Sequence, residues 1–547
     1  MNDGKAGAVG RAEANGAPDE EAIRAYVERV ISSAQFRSSE RIRQFLRYVV
    51  DETLAGRADV IKAYSIAVDC FDREADFDPQ LDPYVRIVAR RLRRALKHYY
   101  EDEGAGDEIR ISVPRGSYVP EFARVDGDPA AAPRPRRAVP AARLDGKPAT
   151  ASVVAVVRME AHGDETDHEF LASGLTQEII LDLSRFDKLR VVGPITAAVQ
   201  DAQDSSPRDI GRGHEADFVL MGAVHNLAGN LRITVSLTEV ASSRMIWAER
   251  FEPDSTVHDL FAVQDEIAST VAATIGDAAG VIVRRVAERT RGREPADLTS
   301  YEAVLRGHHW GNVATAEALS AAHEALENAV AAEPGYAMAR ALLSDIYFTD
   351  WTTGVDRFSH ALGRAEQLAV EAVEIDPFCS DARWALAQAH YGHRRFDDFR
   401  NQFETALELN PYNPSHLASY ALFLVGLEEW DEARGFYAAA TRLHPQHPPW
   451  YHLVPTMIHA RRGEWPQAME AAEEVRTPGL FWGSALRAMV LGHQGAIGAA
   501  AACIDELVGA RPDFVQRGRE LVERLLCAEG NVAVVVDGLR KAGLEID

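Results

Sequence analysis

The apolar positions of this chain change period several times along its length. Helical spacing runs through residues 20–33 and then through SSERIRQFLRYVVDETLAGR and KAYSIAVDCF, which predicts helices there. In PYVRIVARRLRRALKHYY, residues 83–100, the positions Val85, Val88, Ala89, Leu92, Ala95, Leu96 and Tyr99 make one apolar face of a further helix. Asp82 and Pro83 suit its N-cap and first turn. The period then drops to two. Ile109, Ile111 and Val113 alternate with Arg110 and Ser112, Pro114-Arg115-Gly116 predicts a turn, and Tyr118 to Phe122 predicts a returning strand.

From residue 151 the two periods alternate. ASVVAVV and LRVVG read as strands, with EFLASGLTQEIILDLSRF as a helix between them. Ser206-Pro207 opens a short helix. DFVLMGAVHNL, LRITVSLTEV and MIWAERFE predict an antiparallel meander, and a long helix follows at about 257–287. This mixture predicts an α/β sandwich. Beyond residue 298 a third period appears. Pro334, Pro377, Pro411, Pro445, Pro478 and Pro512 are spaced 43, 34, 34, 33 and 34 residues apart, and Phe396, Trp430 and Trp465 keep nearly the same interval. Such a period predicts stacked helix pairs, about six over 298–512 with a capping segment to 547. The 43-residue interval places an insertion near DWTTGVDRFSH.

Charge changes this picture. The chain carries a formal charge of −24, yet residues 1–150 are neutral, with 25 basic and 25 acidic residues. The basic run Arg86, Arg90, Arg91, Arg93, Arg94 and Lys97 therefore sits in a neutral segment joined to an acidic body, which implies different partners for the two ends. Arg86, Arg90, Arg93 and Lys97 share a stripe opposite the apolar face. A polyanion would favour such a stripe by counterion release. A solvated basic face, or pairing of Arg91 and Arg94 with the acids of EDEGAGDE or DREADFD, is the plainer account.

Three resemblances add to this. The order helix, helix, basic helix, hairpin with Arg115, Gly116 and Tyr118 resembles a winged helix of the OmpR/PhoB type over residues 36–122. It implies a recognition helix in the major groove and a wing on the minor groove or backbone of double-stranded DNA. The DNA-binding residues it implies are Arg86, Arg90, Arg91, Arg93, Arg94, Lys97 and Arg115. The helical start at 20–33 departs from that family, which begins with a small antiparallel sheet. The phrases FLASGLTQEIILDLSR, DFVLMGAVHNLAGNLRITVSLTEV, MIWAERFE and LFAVQDEIA resemble the TolB-like N-terminal module of bacterial regulators and some nucleotide cyclases. VRMEAHGD stands where that module has Pro-Phe and Asn. The proline-punctuated period resembles tetratricopeptide repeats, which implies a groove for a peptide or protein partner.

The expected architecture is thus multidomain, α and α/β: a disordered start (1–19), a winged helix (20–124), a Pro/Ala/Arg tether (125–150), a TolB-like α/β domain (151–290) and an α-solenoid (298–547). No P-loop, HExxH, GxSxG or dinucleotide fingerprint occurs, so no catalytic residue, cofactor or metal site is expected. DREADFDPQLDP lacks the Gly and Glu of a calcium loop. Residues 1–124 are too short and too helical for a cyclase domain. Four scattered cysteines and the lack of an apolar leader or an 18-residue apolar run predict a cytoplasmic protein without a membrane span. The expected function is a transcriptional regulator of one or two subunits. The alternative is a non-enzymatic interaction scaffold of a signalling system, with cyclase-associated architecture but no cyclase domain.

Overall fold

The computed structural model describes residues 20–33, 36, 40–71, 84–101, 103–104, 106–107, 109–114, 118–124, 151–162, 166–195, 206–227, 230–253, 260–313, 316–476 and 481–546. The expected disordered start and the tether lie outside the described residues, as do Asp82, Pro83, Arg115 and Gly116. The chain divides into two compact units, Met1–Gly146 and Lys147–Asp547.

The first unit contains α1 (Glu20–Ile31), α2 (Glu40–Leu54), a single turn at Ala63–Ser65 passing into a π-helical turn at Ile66–Cys70, α3 (Tyr84–Glu101), β1 (Ile109–Ser112) and β2 (Glu121–Arg124). All seven apolar positions of α3 are buried, against a core that includes Val30, Phe36, Phe45, Leu46 and Val49. Strands β1 and β2 pair antiparallel, with Ile111 opposite Phe122. The returning strand begins at Glu121 rather than Tyr118, because Pro120 has no N–H to give the ladder. Tyr118 instead turns its ring to Phe45, 6.3 Å between centroids.

The second unit begins with β3 (Ser152–Val157), β4 (Glu160–His162), α4 (Thr166–Leu183), β5 (Leu189–Ile195), α5 (Pro207–Gly213), β6 (Phe218–Leu227), β7 (Asn230–Glu239) and β8 (Arg244–Phe251). Its mixed sheet runs β5-β3-β6-β7-β8, with β4 also on β6. Strand β3 is parallel to both neighbours, and β6, β7 and β8 form the expected meander. Three residues are too few to leave a period, so β4 was not legible. One face packs Val154, Leu220, Ile233 and Val235 against α4 and against α6 (Leu260–Gly276). Ile210 of α5 covers part of the other face.

The long helix expected at 257–287 is broken. It stops at Gly276 and resumes as α7 (Val281–Arg289). By length and mean hydropathy (1.4), Val263–Arg289 would suffice for a membrane span, but 83% of its apolar window is buried within the protein.

Among the described residues fourteen further α-helices follow as seven consecutive pairs: α8 (Ser300–Val313), α9 (Ala316–Ala332), α10 (Ala337–Thr352), α11 (Ala361–Ile375), α12 (Ser380–Gly392), α13 (Phe396–Leu409), α14 (Pro414–Gly426), α15 (Trp430–Leu443), α16 (Leu453–Arg461), α17 (Trp465–Glu474), α18 (Trp482–His493), α19 (Ile497–Ala510), α20 (Phe514–Leu525) and α21 (Glu529–Lys541). Pro334, Pro377, Pro411, Pro445 and Pro512 each follow the second helix of a pair, while Phe396, Trp430 and Trp465 each open one. The insertion falls at 353–360, between α10 and α11. The expected cap forms a seventh pair whose start turns back on earlier helices. Tyr391 Oη donates to Leu525 O (2.5 Å), and Asn531 Nδ2 to Val425 O (2.8 Å).

Candidate functional site

Helix α3 carries the basic run, and its geometry is set from its buried face. Among the expected DNA-binding residues the structure describes the side chain of Arg93. It is half-buried, and its guanidinium donates from Nε to Val113 O (2.8 Å) and from Nη2 to Pro114 O (3.1 Å). A planar five-donor group suits two adjacent carbonyls of an otherwise uncapped strand end. Arg93 is thus a brace between helix and hairpin, a role the sequence reading did not assign it. Arg86, Arg90, Arg91, Arg94 and Lys97 lie on α3, but their side chains are outside what is described, and Arg115 lies outside the described residues altogether.

Two more contacts fix the hairpin. Tyr100 Oη accepts from Ile111 N (2.6 Å), and the Arg110 guanidinium lies 5.3 Å from the Tyr100 ring centroid. In the acidic turn after α3, Asp107 accepts from Tyr26 (2.8 Å) and Tyr99 (2.7 Å) and pairs with Arg29 at 2.9 Å. Burial first, and then this carboxylate, push the Tyr99 phenol up to about 12. The C-terminal end of α3 is therefore tied to α1.

A second polar constellation, spread over the second unit, was not visible in the sequence. Asp187, before β5, accepts at Oδ2 from Ser380 N (2.8 Å) and Ser380 Oγ (3.1 Å), at the start of α12. Asp277, in the break between α6 and α7, accepts from Ser415 N at the start of α14 (3.3 Å) and lies 3.3 Å from His444 Nδ1. Two carboxylates of the sheet region thus sit at helix N-termini of the repeat region, where unpaired N–H groups and the helix dipole favour negative charge. Alongside, Asp381 Oδ1 lies 3.2 Å from His416 Nε2, Lys188 is buried, and Tyr301 Oη lies 2.8 Å from Ser152 Oγ and donates to Lys188 O (3.1 Å).

Electrostatics divide this constellation: burial, and then the Asp381 charge, push Asp187 up to about 7, whereas Asp277 and Asp381 are held ionised. Burial would raise Asp277, but the His444 imidazole beside it, helped by Lys188 and Ser415, holds it at about 2. Asp381 is opposed by burial too, and Lys188, His416 and His308 hold it well below the usual carboxylate range. Burial, with Lys188 nearby, lowers His308 to about 3, so its imidazole is neutral. Among the described residues no group of three His, Cys, Asp or Glu side chains is placed to hold a metal ion. Asp217 and Glu239 serve locally: Asp217 Oδ2 accepts from Val153 N (2.9 Å), and Glu239 is buried against Arg285 at 2.8 Å.

No protein-family model matches the chain. Among curated proteins it is similar to "Putative adenylate cyclase 3" of Rhizobium meliloti (strain 1021), with 28% identity over 270 residues, which is 48% of this chain and 43% of the relative. The chain thus spans under half the length of the curated relative it matches.

Proposed function

We propose that the chain is a DNA-binding transcriptional regulator, with the first unit as a winged helix, the mixed sheet and its helices as a TolB-like module, and the helix pairs as tetratricopeptide repeats that engage a peptide or protein partner. The observation that carries this reading is α3. Its apolar face is fully used in the core, its remaining positions hold six basic residues, and one of these, Arg93, braces a hairpin beside it. In this reading Arg86, Arg90, Arg91, Arg94, Lys97 and Arg115 meet DNA, while Arg93 positions the wing. The protein works in the cytoplasm as one or two subunits.

The test is selection of genomic DNA fragments by the full chain at two salt concentrations, beside Arg90→Ala. Selective enrichment that the variant loses supports a sequence reader. No binding at low salt ends the winged-helix function.

A second reading is a component of a cyclic-nucleotide signalling system, favoured by the name of the Rhizobium relative. That name also weighs against treating the chain as a non-enzyme without assay. Three α-helices, short helical turns and a two-stranded hairpin offer no ferredoxin-like sheet for a cyclase centre among the described residues of the first unit. The scaffold form of this reading is therefore the stronger one.

A further inference from the structure

Among the described residues, part of one face of the mixed sheet has nothing packed on it. There β6, β7 and β8 run antiparallel, with Met221 opposite Ser236, Ala223 opposite Thr234, Ser236 opposite Ala248 and Thr234 opposite Arg250. These side chains share one face, because strand residues alternate sides. They are short where the face is central, and they floor a cleft of ≈ 600 Å³. That volume falls in the range of small-molecule sites.

Its walls differ from its floor. Arg158, between β3 and β4, stands on one side, and Arg250 of β8 on the other. Two strands separate them, so their backbones are about 14 Å apart, three interstrand spacings. Each arginine side chain can reach toward the middle. Both are exposed, and neither guanidinium has an acidic partner among the described residues. Of the two acids at the cleft, Glu160 lies 3.2 Å from His162, and Glu249 stands opposite Val235, so strand alternation turns it to the other face of the sheet. Met221 and Met245 complete the walls, and Met245 is 62% exposed. An exposed thioether is an adaptable surface for a flat ring.

We propose that this cleft binds a small organic anion, a phosphate or carboxylate borne on a flat apolar body. Arg158 and Arg250 take the anionic oxygens, the Thr234 and Ser236 hydroxyls add hydrogen bonds, and the methionines cover the ring. Guanidinium forks match both kinds of oxyanion. The inference stands apart from DNA binding, since neither the site nor any of the substitutions that test it lies in the first unit.

Titration calorimetry of the full chain with phenyl phosphate, benzoate and inorganic phosphate tests it. Saturable binding of phenyl phosphate or benzoate is expected, and which one binds more tightly identifies the head group. Arg158→Ala and Arg250→Ala should each weaken that binding about tenfold or more, the worth of one charge-assisted contact. Both should keep the parent melting temperature, since each removes an exposed side chain. Ala248→Leu should block the floor while keeping both arginines. Absence of saturable binding at millimolar ligand would overturn the proposal. So would binding that survives all three substitutions, or inorganic phosphate binding as tightly as phenyl phosphate.

Discussion

Arg93 Nε donates to the carbonyl of Val113 across 2.8 Å, joining the basic helix to the end of the first hairpin strand. A charged donor on a partly buried carbonyl contributes about 1.5–3 kcal/mol. Arg93→Ala should therefore loosen the hairpin, seen as faster amide exchange at Ile109–Ser112. Arg93→Lys should recover little, because an ammonium cannot span two carbonyls as a fork does. Unchanged exchange in Arg93→Ala would remove the brace.

Arg90 makes the opposite prediction. On the DNA-reading account, Arg90→Ala should leave hairpin exchange alone, weaken DNA binding, and reduce the slope of log affinity against log salt by about one. An unchanged slope would mean that Arg90 neutralises no phosphate.

The joint around Asp277 predicts an acid response. Its folded value of about 2 lies below the ordinary 3.8, so the fold favours the ionised form. That stabilisation is fully present above the ordinary value and drains away as pH falls towards about 2. Asp277→Ala should cost about 3–5 kcal/mol, because His444 and Ser415 N would lose a buried partner. Asp277→Asn, which keeps an acceptor, should cost less and flatten the acid limb of a pH–melting curve. An acid limb identical to the parent's would assign the response to other carboxylates, of which Asp381 comes first.

These residues also mark how far the sequence was legible. The apolar face of α3 follows from spacing alone, because 3.6-residue periodicity and burial are one physical fact. The meander and the proline-ended helix pairs follow for the same reason. The partners of Asp187 and Asp277 do not. Ser380 lies 193 residues from Asp187 and Ser415 lies 138 from Asp277, and no local period encodes such a meeting. The one local hint is GDAAG at 276–280, a glycine-flanked stop in an otherwise continuous helical pattern. The Arg93 contacts with Val113 O and Pro114 O are not legible either, because a stripe on a helix wheel cannot tell a side chain facing solvent from one bent back onto a neighbouring carbonyl.

The enzyme question has a direct assay. With ATP and either Mg²⁺ or Mn²⁺, the purified chain should form no cyclic AMP above a heat-treated control. Turnover that scales with protein concentration would replace the regulator reading with a catalytic one and redirect attention to the relative's name.

Asp356 and the C-terminal helices supply the last prediction. Asp356 lies in the insertion between α10 and α11, and both carboxylate oxygens are engaged: Oδ1 by Arg524 Nη1 at 2.8 Å and Oδ2 by Arg517 Nη2 at 2.6 Å. Arg524 Nη1 also donates to Trp351 O (2.6 Å), and Arg511 donates to Gly354 O. The residues that break the 34-residue period therefore form the landing site for α20, about 160 positions later in the chain. Burial opposes ionisation of Asp356, and Arg524 and Arg517 outweigh it, so its carboxyl sits below the usual range. Because Asp356 keeps partial solvent contact, its pairs are screened, and Asp356→Ala should cost only about 1 kcal/mol. Arg524→Ala should cost more, since it also removes one of the donors to the Trp351 carbonyl and the pair with Glu520. A double-mutant cycle should give a coupling energy well above zero, with faster exchange at both 353–360 and 514–525 in either single variant. Strict additivity, with exchange changing only beside each substitution, would show that the insertion and the last helix pair do not hold one another.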